Sequence, residues 1–257
     1  MGQTSHIEWT DATWNVAVGC RKVDEDCKFC YMYRDSFNGT RYDPRKVRKT
    51  KTVFDLPLRL KEPKRIFTSS LTDFFLPEID EYRHELWDII YNTPQHRYQI
   101  LTKRPERILE CLPDNWKYGG YDHVMIGTSV GSMASWHRVE ILEQIPVNRF
   151  YSFEPLHGAI PYTAVLGISS ESWVIIGGES GNKTGKYLYR ACELEWIEQI
   201  MHARKVHNAP VFIKQLGTYQ AVKMKLRDRH GRDMSEWPEH LRVREFPESL
   251  IVKKEEI

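Results

Sequence analysis

No apolar run in this chain approaches the roughly 18–20 residues that a membrane-spanning helix needs, so no membrane partner is expected. The opening residues, MGQTSHIEW, carry neither a basic stretch nor an apolar one, and no secretory signal is expected from them. Serine at position 5 rather than 6 also fails the myristoylation pattern. A G-x-S-x-G elbow, an H-E-x-x-H pair and a phosphate-binding P-loop are all missing, which leaves hydrolase chemistry little support. Net charge is nearly absent as well. Lys plus Arg number 37 against 35 Asp plus Glu, so overall charge names no partner.

Cysteine is scarce but unevenly placed. There are five in 257 residues, and Cys20, Cys27 and Cys30 fall within eleven positions, while Cys111 and Cys192 stand alone. An odd, clustered set is not a secreted disulfide framework and points to a reducing cytoplasm where thiolates stay free for metal. The intervening ArgLysValAspGluAsp segment is too polar for three buried core cysteines. A closed structural zinc site wants four ligands, and only His6 or a distant histidine remains to supply the fourth. Three thiolates do suffice for a cubane iron–sulfur cluster, with one iron left open to a substrate or cosubstrate.

Behind the cysteine loop, short apolar runs alternate with amphipathic stretches. The runs are IFTSS (66–70), YQILT (98–102), VMIGTS (124–129), RFYSFE (149–154), WVIIG (173–177) and VFIK (211–214), with a first strand expected over Trp14–Val18. Helical spacing is clearest over Ile79–Tyr91, Ser135–Ile145 and Arg190–His207. Such alternation predicts βα units and a parallel sheet. The length suits one α/β unit, a partial or near-complete TIM-like (β/α)6-7 barrel spanning 1–217. Residues 218–257 change composition and read as a small C-terminal appendage packed on the barrel.

Each apolar run ends in polar residues, which is where α/β barrels place their chemistry. The ends carry Ser69, Ser70 and Asp73, then Lys103 and Arg104, Thr128 and Ser129, Glu154, Gly178 and Glu179, and Lys214. Glu154, Glu179 and Lys214 are the candidate catalytic groups. The paired glycines at 177–178 also fit a tight turn. Between the cysteines and the first βα unit lies a basic segment at 41–51 holding Arg41, Arg45, Lys46, Arg48, Lys49 and Lys51, with Tyr42 among them. Cations interleaved with an aromatic can track a phosphate backbone, although charge runs are most often solvated loops.

The pattern C-x6-C-x-F-C after a first strand resembles the radical S-adenosylmethionine (SAM) superfamily, whose usual first spacing is three. More closely, the chain resembles the phage-associated three-cysteine-motif family within that radical SAM-like group. The shared motifs are IEWTDATWN (7–15) with GlyCys at 19–20, SLTDFF (70–75), TPQH (93–96), LTKRPER (101–107), SFEPL (152–156), VIIGGESG (174–181) and FIKQLG (212–217). They span about residues 6–247.

The resemblance implies that Cys20, Cys27 and Cys30 hold a [4Fe–4S] cluster whose free iron chelates SAM. One-electron reduction of SAM would then give a 5′-deoxyadenosyl radical that abstracts hydrogen from substrate. The superfamily's Gly-Gly-Glu, which binds the SAM amino group, follows the second strand; here that place holds Ser69, Ser70 and Asp73. The same resemblance gives Lys103 or Arg104 to the SAM carboxylate, Thr128 and Ser129 to the ribose, Gly178 to the cofactor, and Glu154 to SAM or substrate. It also implies an electron donor, a possible partner enzyme in a modification pathway, and a cytoplasmic setting in a phage-infected or bacterial host cell. With the basic segment, DNA or a nucleotide becomes the expected substrate, its base unstacked or single-stranded for the reaction. The alternative is a zinc-stabilised nucleic-acid-binding protein without catalytic activity.

Overall fold

The computed structural model describes residues 4–36, 43–182 and 188–252. In chain order it contains β1 (Ala12–Trp14), β2 (Ala17–Val18), α1 (Tyr31–Ser36), β3 (Arg48–Lys49), α2 (Leu56–Arg59), β4 (Arg65–Thr68), α3 (Arg83–Tyr91) and β5 (Arg97–Thr102). There follow α4 (Ile108–Cys111), β6 (Val124–Ser129), α5 (His137–Glu143), β7 (Asn148–Leu156), α6 (Tyr162–Leu166), β8 (Trp173–Gly178), α7 (Leu194–Val206), β9 (Val211–Gln215) and α8 (Gly217–Lys223). Seven strands form one parallel sheet in the order β1-β4-β5-β6-β7-β8-β9. The sheet curls into a half-barrel, a partial TIM-like barrel. Among the described residues no helix is long and apolar enough to cross a membrane.

Period-two alternation along the strands builds two separate cores. Ile66, Tyr98, Ile100, Ile126, Phe153, Val174, Ile176 and Ile213 face outward and pack with Leu86, Ile90, Leu142, Ile197 and Ile200 from the helices. The opposite parity puts Phe67, Met125, Phe150, Trp173, Ile175 and Phe212 inside the curl, where Trp9 and Leu250 join them. Burying each such aliphatic or phenyl side chain contributes about 1.5–3 kcal/mol relative to exposure. Because the inner plug occupies the residues nearer the strand starts, polar inner-face residues are left at the strand ends.

The expected first strand is split. Only Ala12–Trp14 joins the parallel sheet, while Ala17–Val18 pairs antiparallel with Arg48–Lys49. Asn15 causes the break: its side-chain Nδ2 donates to Ser70 Oγ at 3.0 Å and its side-chain Oδ1 accepts from Leu71 N at 2.7 Å. The helices are also shorter than their periodicity suggests. Pro77–Tyr82 and Met133–Ser135 are 3-10 turns that lead into α3 and α5. Residue 190 stays outside α7 because its backbone N–H donates to Glu179.

The C-terminal segment covers the exposed edge of β9, donating from Glu245 N to Val211 O and accepting from Ile213 N at Val243 O. Such cover blunts an edge that would otherwise invite pairing with another chain. Trp237 and Leu241 enter the outer core and Leu250 the inner one.

Two glycines bring β8 and α8 into direct backbone contact. A Cβ on Gly178 would lie 2.3 Å from Leu216 O, and Gly217, at φ +85°, faces Gly178. Gly178→Ala is therefore expected to lower the unfolding free energy by about 1–3 kcal/mol in urea titration. Gly167→Ala, whose nearest neighbour would be Ala164 O at 3.3 Å, should cost distinctly less.

Candidate active site

The strand ends and the cysteine loop enclose a cavity of about 480 Å³ lined by all three clustered cysteines. Its walls also include Ser69, Ser70, Asp73, Lys103, Arg104, Ser129, Glu154, Glu179 and Lys214. Of the expected site residues, Thr128 and Gly178 do not line it. Thr128 has the outward parity of β6 and donates its hydroxyl to Thr102 O at 2.9 Å. Gly178 faces α8 instead.

Each cysteine is set by its own local device. Gly19 adopts φ +113°, and a Cβ there would lie 2.6 Å from Lys46 O, so only glycine fits before Cys20. Cys20 donates its N–H to Pro44 O at 2.8 Å, and its carbonyl accepts from Tyr33 Oη at 2.6 Å. Cys27 closes a 3-10 turn over Glu25–Cys27 that Asp24 caps, and Cys30 follows with its N–H on Cys27 O. Burial pushes the Cys20 thiol up to about 12, with the Asp73 charge adding to it; burial raises Cys30 as well. The Cys20 and Cys30 thiols therefore stay protonated at neutral pH, and loading a metal on them must release protons.

Among the described residues no three His, Cys, Asp or Glu side chains stand close enough to hold a metal as positioned. The donor set still fits one group better than another. Among the described residues three thiols line the cavity and no histidine does, which suits a three-thiolate cluster with an open iron over a closed four-ligand zinc site.

A buried ionic network anchors the loop, and it joins residues that sequence reasoning missed. Asp26 sits inside the polar ArgLysValAspGluAsp segment, yet its side chain is only 3% exposed. Arg138 of α5, 1% exposed, donates to Asp26 at 2.9 Å, to Ser129 O at 2.8 Å and to Asp24. His157 Nε2 lies 2.7 Å from the other Asp26 oxygen, and Gly131 N donates to the carboxylate at 3.2 Å. Burial alone would raise the Asp26 pKa. Hydrogen bonds from His157 and Ser135 and the charges of Arg138 and Lys103 outweigh it, and the carboxyl is held well below its ordinary range. A Cβ on Gly131 would lie 2.5 Å from both Asp26 and His157, so the network also requires that glycine.

Other ionic candidates divide by whether their hydrogen-bonding capacity is already used. Asp73 accepts from Thr102 Oγ1 at 2.7 Å, Phe75 N at 3.0 Å, Lys103 N at 3.1 Å and Arg104 Nη1 at 2.9 Å. Arg104 also donates to Arg21 O at 2.7 Å, tying β5 to the cysteine loop. Glu179 is clamped by Arg190, which reaches Glu25 O as well. Ser70 is engaged with Asn15. In contrast, the half-buried Lys103 ammonium has no hydrogen-bond or ion-pair partner among the described residues. Ser69 is 3% exposed, sits at φ +71°, and its hydroxyl has no hydrogen-bond partner among the described residues. Backbone strain and a buried hydroxyl without a partner coincide at this strand end.

The basic segment is less free than its composition suggests. Arg41 lies outside the described residues. Arg45 pairs with Asp43 at 2.9 Å, and Lys49 pairs with Glu85 at 2.7 Å while lying over the Phe54 and Tyr82 rings. Arg48 and Lys49 form β3. Lys46 and Lys51 complete the segment, the former packing its carbonyl on Gly19.

Removing one partner of a buried ion pair leaves an uncompensated charge and costs about 3–5 kcal/mol. Arg138→Ala is expected to lower stability by that amount in chemical denaturation. Lys28→Ala, which removes an exposed pair with Glu25 and a distant contact with the Phe29 ring, should leave stability near that of the unaltered protein.

In fold, the chain is similar to a cysteine-to-serine variant of spore photoproduct lyase, with a TM-score of 0.54 at 11% identity over 83% of this chain and 78% of that one. It is similar also to a doubly substituted variant of the same lyase with bound AdoMet and dinucleoside spore photoproduct, with a TM-score of 0.52 at 12% identity over 79% and 76%. No curated protein matches the sequence. Over residues 4–240 the sequence matches the family described as "Protein of unknown function (DUF5131)", and the chain belongs to that family.

Proposed function

We propose that the chain is a radical SAM enzyme of the phage-associated three-cysteine-motif type that acts on a nucleic-acid base or modified nucleotide. The observation that carries this reading is the convergence of Cys20, Cys27 and Cys30 on one cavity at the strand ends of a half-barrel. The fold shared with spore photoproduct lyase, one variant of which has bound AdoMet and a dinucleoside, supports it. When bound, the cluster and SAM together supply the 5′-deoxyadenosyl radical, on receipt of one electron from a donor.

The chain's own residues then bind, orient and exclude water. Lys103, the unpaired cation of the cavity, takes the SAM carboxylate. Arg104 and Asp73 hold each other and the cysteine loop in place. Ser69, with its orphaned hydroxyl, takes the role at the second βα end that the resemblance left among Ser69, Ser70 and Asp73. Ser129 is the strand-end hydroxyl of β6 on the cavity side and serves the ribose. Trp9, Phe67 and Leu101 keep the cavity floor dry. Residues 1–217 form the catalytic unit and 218–257 the appendage that supports it.

Protein purified without oxygen should contain iron and sulfide and, on reduction with dithionite, convert SAM to 5′-deoxyadenosine. Cys27→Ala should abolish iron and product together. Lys103→Met should retain iron and weaken SAM binding by about tenfold or more, the worth of one charge-assisted hydrogen bond. A colourless preparation with stoichiometric zinc and no 5′-deoxyadenosine would contradict this reading and favour the non-catalytic binding protein.

A further inference from the structure

We propose that Glu154 and Lys214 form a recognition couple for the N–H and C=O edge of a cyclic amide, the edge carried by thymine-, uracil- and guanine-type bases. The inference rests on the proposed function, whose substrate class it narrows. The two side chains lie on the inner face of β7 and β9 and meet across β8, with Lys214 Nζ 2.5 Å from Glu154 Oε1. They can meet because the intervening position is Gly177, where a Cβ would already lie 3.2 Å from Glu154 Cδ. Gly177-Gly178-Glu179 thus combines three tasks: a gap for this pair, a close backbone contact with α8, and a clamp on Arg190.

The pair is unlike the other buried ion pairs at the cavity. Asp73 with Arg104, Glu179 with Arg190 and Asp26 with Arg138 each make further bonds to backbone groups beyond the pair itself. Glu154 and Lys214 are 18% and 19% exposed, and among the described residues neither side chain makes another hydrogen bond. Two ammonium N–H groups and the second carboxylate oxygen therefore remain available from the cavity. A desolvated ion pair is favourable only when such remaining positions are satisfied.

An acceptor and a donor side by side match the neighbouring N–H and C=O of a lactam or imide. The N–H donates to Glu154 and the C=O accepts from Lys214, with the ion pair left intact. Trp9, Phe67 and Leu101 line the same cavity, and the Trp9 and Phe67 rings stand 4.6 Å apart, an apolar floor suited to a flat heterocycle. An amino-acid zwitterion fits less well, because its two full charges would have to shed water against that floor.

Calorimetry on the anaerobically purified full chain with SAM present tests this, using thymidine and guanosine, their N3-methyl and N1-methyl analogues, and methionine as probes. At least one nucleoside should bind, and its N-methyl analogue should bind about tenfold more weakly or worse. The double variant Glu154→Leu/Lys214→Met replaces the pair with apolar side chains and is expected to keep the melting temperature. It should lose about tenfold or more of nucleoside affinity with the SAM Kd unchanged. The proposal is overturned if neither nucleoside binds, if N-methylation makes no difference, if the folded double variant binds as before, or if methionine displaces the nucleoside. Should the double variant not fold, the N-methyl comparison on the unaltered protein decides. Discrimination without 5′-deoxyadenosine formation would remove the catalytic reading and leave the couple; product without discrimination would do the reverse.

Discussion

A carboxylate held between an arginine, a histidine and a backbone amide keeps the cysteine loop on the half-barrel. Asp26 is the point where the loop, β6's end, α5 and the segment after β7 meet. Taking both ions of this pair out of water is costly, and the cost is offset because Asp26 and Arg138 each find several partners. Cys27 is the next residue in the chain, so the position of its thiol depends on that buried network. Arg104 and Arg190 add two further ties from β5 and from the segment before α7, each ending on a backbone carbonyl of the loop. The loop has little regular structure, yet it is fastened from several sides.

The half-barrel explains why the cavity lies where it does. Aromatic and aliphatic residues of the inner parity fill the strand starts, and the C-terminal segment adds Leu250 to that plug. Polar residues of the same parity, including Ser129, Ser152, Glu154 and Lys214, then face the cavity at the strand ends. The same alternation separates Ser129 from Thr128, two adjacent hydroxyl residues with different surroundings. Only one of them borders the site.

Much of the fold was legible because buried parallel strands are short apolar runs, and six of those runs coincide closely with β4 to β9. The first strand was misplaced because a side-chain amide, not a turn residue, ended it: Asn15 bonds to residues 70 and 71, a contact no local pattern reveals. Strand-end polarity marked the cavity walls, but it did not separate groups whose bonding is complete, such as Asp73 and Glu179, from Lys103, Glu154 and Lys214. That distinction depends on partners far away in sequence. Asp26 was hidden for the same reason, since a polar segment reads as surface until Arg138, more than a hundred residues on, is placed beside it. In the basic segment, composition counts the cations without the acidic and aromatic neighbours that Arg45 and Lys49 have in the fold.

Three thiols on a shared wall, a separate unpaired lysine and a strained serine with an orphaned hydroxyl together make a cavity suited to a charged, cluster-bound cosubstrate. Electron paramagnetic resonance of the reduced protein tests that claim most directly. A [4Fe–4S] signal whose g-values change when SAM is added is the expected result, since SAM would occupy the open iron. A reduced cluster whose signal is indifferent to saturating SAM, or protein that binds zinc and gives no signal, would contradict it.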